Sequence, residues 1–225
     1  MTGVQTLGLD GWSETLRLST LEVYNWGPFS RYHKASFDLD GTAIIGPTGS
    51  GKTTLVDALM TLIVAFPKYN LASTGGHESD RDLESYVRGV IGQGTTDNGS
   101  HISRPAKTVT GIAATFSRPG RDVTLGAVLW VDSTSRSSSD IKKRWLVSEA
   151  AGETLEGWLT IHGEGGDRAL KQHRDRTPKL ELWESKSKYL AHVRRLFDIS
   201  ENAFALLNRT VGLKQLDNID NLFRD

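Results

Sequence analysis

One glycine-rich stretch carries residue types at a spacing that binds phosphate. Residues 46–53 read GPTGSGKT, which fits the pattern G-x-x-x-x-G-K-[ST]. Backbone N–H groups of such a loop surround the phosphate oxygens, and the N-terminus of the following helix favours negative charge. We expect Lys52 to reach the β- and γ-phosphates and Thr53 to bind Mg²⁺ through its hydroxyl. The expected contacts are Gly46, Pro47, Thr48, Gly49, Ser50, Gly51, Lys52 and Thr53.

The segments around this loop occur in the order that the motif requires. LRLSTLEVYNWGPF, HKASFDL and TAIIG predict three strands, the last of which leads into the loop. After Gly51, apolar residues at helical spacing predict a helix that ends near Pro67. An ordinary strand-to-helix turn with a surface lysine is the alternative, and the coincidence of strand, motif and helix disfavours it.

The rest of the chain predicts a mixture of strands and helices. Residues 71–105 read as long loops around one short helix, DRDLESYVRGVI. KTVTGIAATFSR, DVTLGAVLWVD and KRWLVSE predict three strands whose short connections indicate antiparallel pairing. The next thirty or so residues are mixed and polar. WESKSKYLAHVRRLFDI and ENAFALLNRTVG then predict helices, the first with an apolar stripe at Tyr189, Val193 and Phe197.

Composition excludes several classes of function. The 225 residues include 27 Lys plus Arg and 27 Asp plus Glu, so no global charge excess favours nucleic acid or an anionic membrane. There is no cysteine, which rules out thiol catalysis and disulfides, and the six histidines lack metal-ligand spacing. The N-terminal residues do not have the layout of a signal peptide, and no apolar run is long enough to span a membrane. These features predict a cytoplasmic protein without a membrane partner.

Hydrolysis also requires an acidic element that holds the metal and a group that orients water. AVLWVDS has the shape of a Walker B strand ending at Asp132, but an antiparallel strand with a turn-forming Asp accounts for it equally well. STGGHES, residues 73–79, faintly resembles an ABC-type signature and is interpreted as a loop, because it follows the phosphate loop too closely.

The lack of a clear Walker B acid and signature motif agrees with the resemblance of several segments to a known family. The segment from LRLSTLEVYNWGPF to TLVDALMTLI, including Asp57, resembles the start of the SMC-type ATPases, whose heads are split by a long coiled coil. VYNWGPF and FDLDG resemble the MukB and MksB branch. LLNRTVGLKQLDNIDNLFRD resembles the approach to the coiled coil in MksB-like and JetC-like proteins, the latter being SMC-type subunits of Wadjet plasmid-defence systems.

The resemblance implies a fold and a division of the chain. The fold would be the α/β N-terminal half of an ABC/SMC-type head, with a strand, P-loop and helix, an antiparallel β subdomain and C-terminal helices that lead to a coiled coil. The divisions are a polar leader at 1–14, a P-loop core at 15–66, loops and a β lobe at 67–180, and a helical segment at 181–225.

The resemblance also implies roles and partners. Thr54 joins the phosphate loop, Gln215 takes the place of the Q-loop glutamine near Mg²⁺, and Arg81 or Arg88 reaches the phosphates. For adenine, Arg31, Tyr32 or His33 offers a stacking face. Two heads, each completed by its own C-terminal half, would enclose two ATP–Mg²⁺ and move double-stranded DNA. Kleisin-type and accessory subunits would join them, with a nuclease subunit in a Wadjet system.

Three other functions stay open from the sequence. One is an MksB-like head in chromosome maintenance, and another is a stand-alone P-loop NTPase with Asp132 as its metal ligand. The third is a DNA-binding or scaffolding module with bound nucleotide as a structural ligand. Its DNA contacts would come from one of two basic groups, whose usual explanation is a solvated charged face. The groups are Lys142, Lys143 and Arg144, or Lys171, His173, Arg174 and Arg176.

Overall fold

A computed structural model of the chain describes residues 15–69, 81–91 and 101–200, together with residues 203 and 206. Its strands are β1 Arg17–Tyr24, β2 Tyr32–Ser36, β3 Val90–Ile91, β4 His101–Ile102, β5 Thr108–Arg118, β6 Arg121–Val131, β7 Lys142–Ser148 and β8 Leu180–Trp183. Its helices are α1 Lys52–Ile63, α2 Leu83–Arg88, α3 Leu155–Arg176 and α4 Lys186–Phe197, with a short 3₁₀ helix at Ser138–Asp140.

Six strands form one antiparallel sheet in the order β2-β1-β5-β6-β7-β8, while β3 and β4 pair separately. Residues alternate between the two faces of a strand, so each strand of the sheet can bury side chains on both sides. On β5, Ile112 and Ala114 join the core under α1, α2 and α4, whereas Ala113 joins the core under α3. We call these two sides of the sheet the α1 face and the α3 face.

Helix α3 lies close to the sheet because glycines leave room for it. A Cβ atom added at Gly126 on β6 would lie 2.1 Å from the ring of Trp158, and one at Gly111 on β5 would lie 2.6 Å from Leu155. Trp158 and Leu155 are both fully buried. The first turns of α3 therefore pack closely on β5 and β6 at these glycines.

The predicted antiparallel strands are confirmed, and β1 joins them. β1 pairs with β5 from Arg17 opposite Ser117 to Tyr24 opposite Gly111. The segment that contains the phosphate loop and the predicted β lobe therefore share one sheet. The short helix at α2 and the helix at α4 are also confirmed, and the stripe residues Tyr189 and Val193 are buried.

Three predictions of secondary structure need correction. TAIIG forms no strand, because nothing among the described residues pairs with it. Helix α1 ends at Ile63, where Val64 turns to an extended backbone before Pro67. The mixed polar segment contains the 22-residue α3, whose helical backbone is interrupted at Gly165 and Gly166. The strand β8 follows that segment at Leu180 and was not predicted.

Several sequence predictions concern residues outside the described ranges. They are the polar leader, the signature-like STGGHES, most of ENAFALLNRTVG, and Gln215. Within the described ranges, no helix combines the length and the apolar character needed to cross a membrane.

Candidate functional site

The phosphate loop has the backbone that its glycines allow. Gly49 and Gly51 adopt left-handed conformations with φ of 84° and 90°, which other residues rarely adopt. Residues 46–50 are exposed, so the loop opens to solvent. A Cβ atom at Gly51 would lie 2.8 Å from the ring of Phe29, which packs behind the loop. The geometry explains why glycine is needed at the turn into α1.

Lys52 spans the loop. Its Nζ donates to the carbonyl oxygens of Gly46 at 2.8 Å and Pro47 at 2.9 Å. Its ammonium is thus held over the loop by neutral acceptors, and a phosphate would offer it a stronger, charge-assisted partner. The contact of Lys52 with the β- and γ-phosphates stays a prediction.

The N-terminus of α1 is open to an anion. Its N-cap is Gly51, which has no side chain to cap the helix, and the helical bonding begins with Leu55 N–H donating to Gly51. The first backbone N–H groups of a helix have no acceptor within the helix. Those of Lys52, Thr53 and Thr54 are consequently the donors that this end of α1 offers to phosphate.

Thr53 and Thr54 differ in what their side chains can do. Thr53 is half-buried beside the loop, and the contact of its hydroxyl with Mg²⁺ stays a prediction. Thr54 is buried, and its methyl group lies close to Gly27. Its carbonyl accepts a hydrogen bond of 3.0 Å from the indole of Trp26. Thr54 therefore contributes a backbone N–H at most, while its other atoms anchor α1.

An aromatic cluster missed by the sequence analysis supports α1 from behind. Trp26 stacks on Tyr86 with 4.6 Å between ring centroids, and Tyr69 lies 5.0 Å from Tyr86. The Tyr86 hydroxyl donates a short hydrogen bond to the buried carboxylate of Asp57. Burial and the charge of Asp57 raise the pKa of Tyr86, so the hydroxyl stays protonated as a donor.

The two arginines of the α2 segment have different environments. Arg88 is buried and donates to the backbone carbonyls of Arg104, Ala106, Ser133 and Ser135. Because these carbonyls occupy its guanidinium, Arg88 has a structural role, and the prediction that it binds phosphate is wrong. Arg81 lies over the Tyr86 ring, 6.0 Å from its centroid, and Tyr86 in turn bonds to Asp57 of α1. Arg81 therefore stays the candidate arginine for phosphate binding.

The adenine candidates separate in the same way. Tyr32 packs into the core of the α3 face, away from α1. His33 lies 5.2 Å from the ring of Phe29, and Phe29 touches Gly51 of the loop. Phe29, which the sequence analysis did not single out, is thus the aromatic side chain next to the loop, with His33 beside it.

Asp132 does not approach the phosphate loop. It follows Trp130 on the α3 face, where it lines a cleft with His162, whereas α1 packs on the other face. Its carboxylate is paired with Lys142 at 2.8 Å and Lys107 at 3.9 Å. The hydrogen bond from Lys142 holds the pKa of Asp132 below its ordinary value against a small opposing effect of burial. A Walker B role for Asp132 on this side of the sheet is therefore wrong.

Carboxylates neutralise much of the two basic groups. Arg144 pairs with Asp167 and Glu184, and Lys171 also pairs with Asp167. His173 contacts Glu153, and Arg174 contacts its neighbour Asp175. These pairs explain most of the two basic groups as a solvated charged surface, so neither group by itself indicates a DNA-binding patch.

Comparison with known proteins identifies the segment that holds the loop. Residues 18–76 match the family model described as P-loop containing region of AAA domain. This segment is a P-loop region of the NTPase type. The match spans β1, β2, the phosphate loop and α1, which is less than a third of the chain. No curated protein matches the chain. The match and the loop geometry together indicate nucleotide binding, with Mg²⁺ as the usual companion of the phosphates.

Proposed function

We propose that the chain is the N-terminal part of an SMC-type ATPase head, which binds ATP and Mg²⁺ through residues 46–53. The hydrolytic site would be completed by the C-terminal half of the same head and by a second head. The resemblance of the sequence supports the family, and the geometry of the loop supports the grip on the phosphates.

The observation that carries the proposal is the unpaired segment before the loop. The strand that leads into a phosphate loop belongs to a parallel sheet, and such sheets are covered on both faces. Here residues 42–46 pair with no strand of the described ranges, and Ile44 and Ile45 are 40% and 88% exposed. Phe66, after α1, is 89% exposed. In a strand, the consecutive residues Ile44 and Ile45 would point to opposite faces, so each face of this segment would expose an apolar side chain that another element could cover.

The occupant that fits this segment is the C-terminal head half. Strands from that half would pair with residues 42–46 and cover Ile44, Ile45 and Phe66. In a split head the same half supplies the Walker B acid, which the described residues do not place beside the loop now that Asp132 lies on the α3 face. One assembly step would thus complete both the sheet and the metal site.

Each residue then has a defined task in the completed site. Lys52 would bind the β- and γ-phosphates, and backbone N–H groups of residues 49–54 would surround them. Mg²⁺ would be held by the Thr53 hydroxyl and would neutralise the charge that develops on the phosphates. We propose Arg81 as a further phosphate contact and Gln215 as the residue that orients water.

By the resemblance, ATP-driven engagement of two heads would open and close coiled-coil arms and move double-stranded DNA. A Wadjet-type plasmid-defence system with a nuclease subunit is the preferred setting, and an MksB-like role in chromosome maintenance is the alternative. Kleisin-type and accessory subunits belong to both. The genes next to this one would separate the two settings, because only the first requires a nuclease.

Nucleotide titration and turnover test the proposal. The chain should bind a fluorescent ATP analogue in the presence of Mg²⁺, and Lys52→Ala should weaken binding about tenfold or more, since a charge-assisted contact is lost. Lys68→Ala, which removes an exposed lysine just after α1, is the matched control.

Measurement of ATP hydrolysis distinguishes the split-head proposal from a stand-alone P-loop NTPase. The isolated chain should turn over little or no ATP, and turnover should appear when the C-terminal head half is co-expressed. Robust hydrolysis by the chain alone, abolished by Asp132→Asn, would refute the split-head proposal and restore the stand-alone NTPase.

A further inference from the structure

A second cleft lies on the α3 face, on the other side of the sheet from the phosphate loop. It has a volume of about 800 Å³ and lies between the ends of β6 and β7 and the middle of α3. Trp130 and His162 line it from the two sides, and their ring centroids are 4.8 Å apart. Nothing in the proposed nucleotide chemistry uses this cleft.

The feature of the cleft that indicates a ligand is His162. Its side chain is buried, with only 8% of the residue exposed, and its Nε2 has no hydrogen-bond partner among the described residues. Burial lowers the pKa of His162, although Asp167 and Asp132 act in the opposite direction, so the imidazole is neutral near pH 7. A neutral imidazole with a proton on Nε2 donates one hydrogen bond, and a buried donor without an acceptor is unfavourable.

The break in α3 opens the wall next to His162. Gly166 has a left-handed φ of 63°, and a Cβ atom added at Gly166 or Gly163 would meet nothing within 4 Å. The glycines therefore leave space where side chains would otherwise fill the cleft. Asp167 directly follows the break and pairs with Arg144, which connects this wall to β7.

The charges around the cleft favour an anion. Every carboxylate is already paired: Asp132 with two lysines, and Asp167 and Glu184 with Arg144 and Lys171. The residues that line the cleft include four cations (Lys107, Lys142, Lys143 and Arg144) and three carboxylates (Asp132, Asp167 and Glu184). Lys171, beside the cleft, also pairs with Asp167, so positive charge is in excess. Lys107 and Lys142 share the single carboxylate of Asp132 and are largely exposed, so both can turn towards a ligand.

A metal ion is a poorer occupant. The described residues contain no group of three or more His, Asp or Glu side chains that could hold one. The carboxylates of the cleft are also held by cations, which a metal would have to displace.

We propose that this cleft binds a phosphate group, which accepts hydrogen bonds from Nε2 of His162 and from the ammonium groups of Lys107 and Lys142. The phosphate belongs either to a small phosphorylated molecule or to the backbone of a nucleic acid, and the chemistry of recognition is the same for both.

NMR titration of the full chain tests the site. The protein would carry Lys52→Ala, so that binding at the phosphate loop does not interfere, and the imidazole resonances of His162 would be followed as inorganic phosphate is added at constant ionic strength. We expect a saturable shift of His162. Lys107→Gln with Lys142→Gln should weaken binding about tenfold or more, because two charge-assisted contacts are lost.

A matched control removes two exposed lysines elsewhere. Lys34→Gln with Lys179→Gln changes the net charge equally, and both residues line a different cleft. That variant should bind phosphate as the parent does.

An equal shift with chloride, or unchanged affinity in the Lys107 and Lys142 variant, would overturn the proposal. His162→Phe, checked for folding by circular dichroism, should weaken binding measured by phosphorus NMR; if it does not fold, the lysine variants decide.

A short DNA duplex distinguishes the two sources of phosphate. A shift of His162 at lower concentrations of DNA than of phosphate, reversed by added phosphate, would assign the cleft to a nucleic-acid backbone. Saturation by phosphate with no effect of DNA would assign it to a small phosphorylated molecule. A DNA-induced shift that survives in the Lys107 and Lys142 variant would count against the site. Nucleotide binding at Lys52 is measured separately, so failure of either proposal leaves the other standing.

Discussion

Replacement of Arg88 by methionine should destabilise the fold strongly. The guanidinium donates to four backbone carbonyls, with N–O distances of 3.1 Å to Arg104, 2.5 Å to Ala106 and 2.9 Å to Ser133, and a short bond to Ser135. These contacts join α2 to the segments before β5 and after β6. Methionine fills a similar volume but leaves all four carbonyls without this donor.

The size of the effect follows from those contacts. A hydrogen bond from a charged donor contributes about 1.5–3 kcal/mol, and four on one side chain are not additive. Loss of a buried charged partner typically destabilises a protein by about 3–5 kcal/mol. With a slope of ~3 kcal/mol per molar urea for a chain of this size, the unfolding midpoint should fall by about 1–1.7 M.

Urea unfolding followed by tryptophan fluorescence measures this shift, and Arg81→Met is the matched control. Arg81 lies over the Tyr86 ring, an interaction of about 0.5–1 kcal/mol at a partly exposed site, so its midpoint should move by about 0.3 M or less. In the head completed as proposed above, Arg81→Met should instead lower ATP hydrolysis. Equal midpoint shifts in the two variants would refute the division into a structural and a functional arginine.

Two further predictions concern the core and the effect of pH. Gly126→Ala places a methyl group against the Trp158 ring and should destabilise the fold by about 3 kcal/mol, whereas Gly163→Ala meets open space and should stabilise it by up to about 1 kcal/mol; urea midpoints compare them. Burial and nearby Lys143 lower the pKa of Lys186 to about 7. The unfolded chain binds more protons between that value and about 10.4, so stability should rise by roughly 1 kcal/mol per pH unit there, and Lys186→Met but not Lys188→Met should abolish the rise.

Local sequence patterns predicted the elements whose packing is decided within the segment. β5 and β6 are runs rich in β-branched and apolar residues that meet at a Pro-Gly turn, and α1 follows directly from the phosphate motif and its apolar spacing. α3 was missed because its glycines at 163, 165 and 166 interrupt the helical period. Its N-terminal signal was nevertheless present: Thr154 caps the helix, and Leu155 and Trp158 lie on one side of it.

The candidate site was predictable where chemistry is local and unpredictable where it depends on contacts distant in sequence. Lys52 and the loop glycines follow from spacing alone. Phe29 was missed because its contact with Gly51 requires the turn after β1 to fold back on the loop. Arg88 looked like Arg81 in the sequence, and only the four carbonyls around it reveal its structural role. Asp132 followed an apolar strand as a Walker B acid does, but the strand order places it on the other face.

In the proposed split head, the segment before the loop would link assembly to nucleotide binding, because it has no strand partner in the described residues. Lys52 now bonds to the carbonyls of Gly46 and Pro47, the residues at which a strand through Ile44 and Ile45 would enter the loop. Pairing of residues 42–46 with another strand would fix the path of the backbone into Gly46, and with it the direction of those carbonyls. The loop would then meet phosphate in a preorganised form, and preorganisation raises affinity by reducing the ordering that binding requires. We therefore expect the chain to bind ATP more tightly when the proposed C-terminal half is co-expressed and covers Ile45 than when the chain is alone.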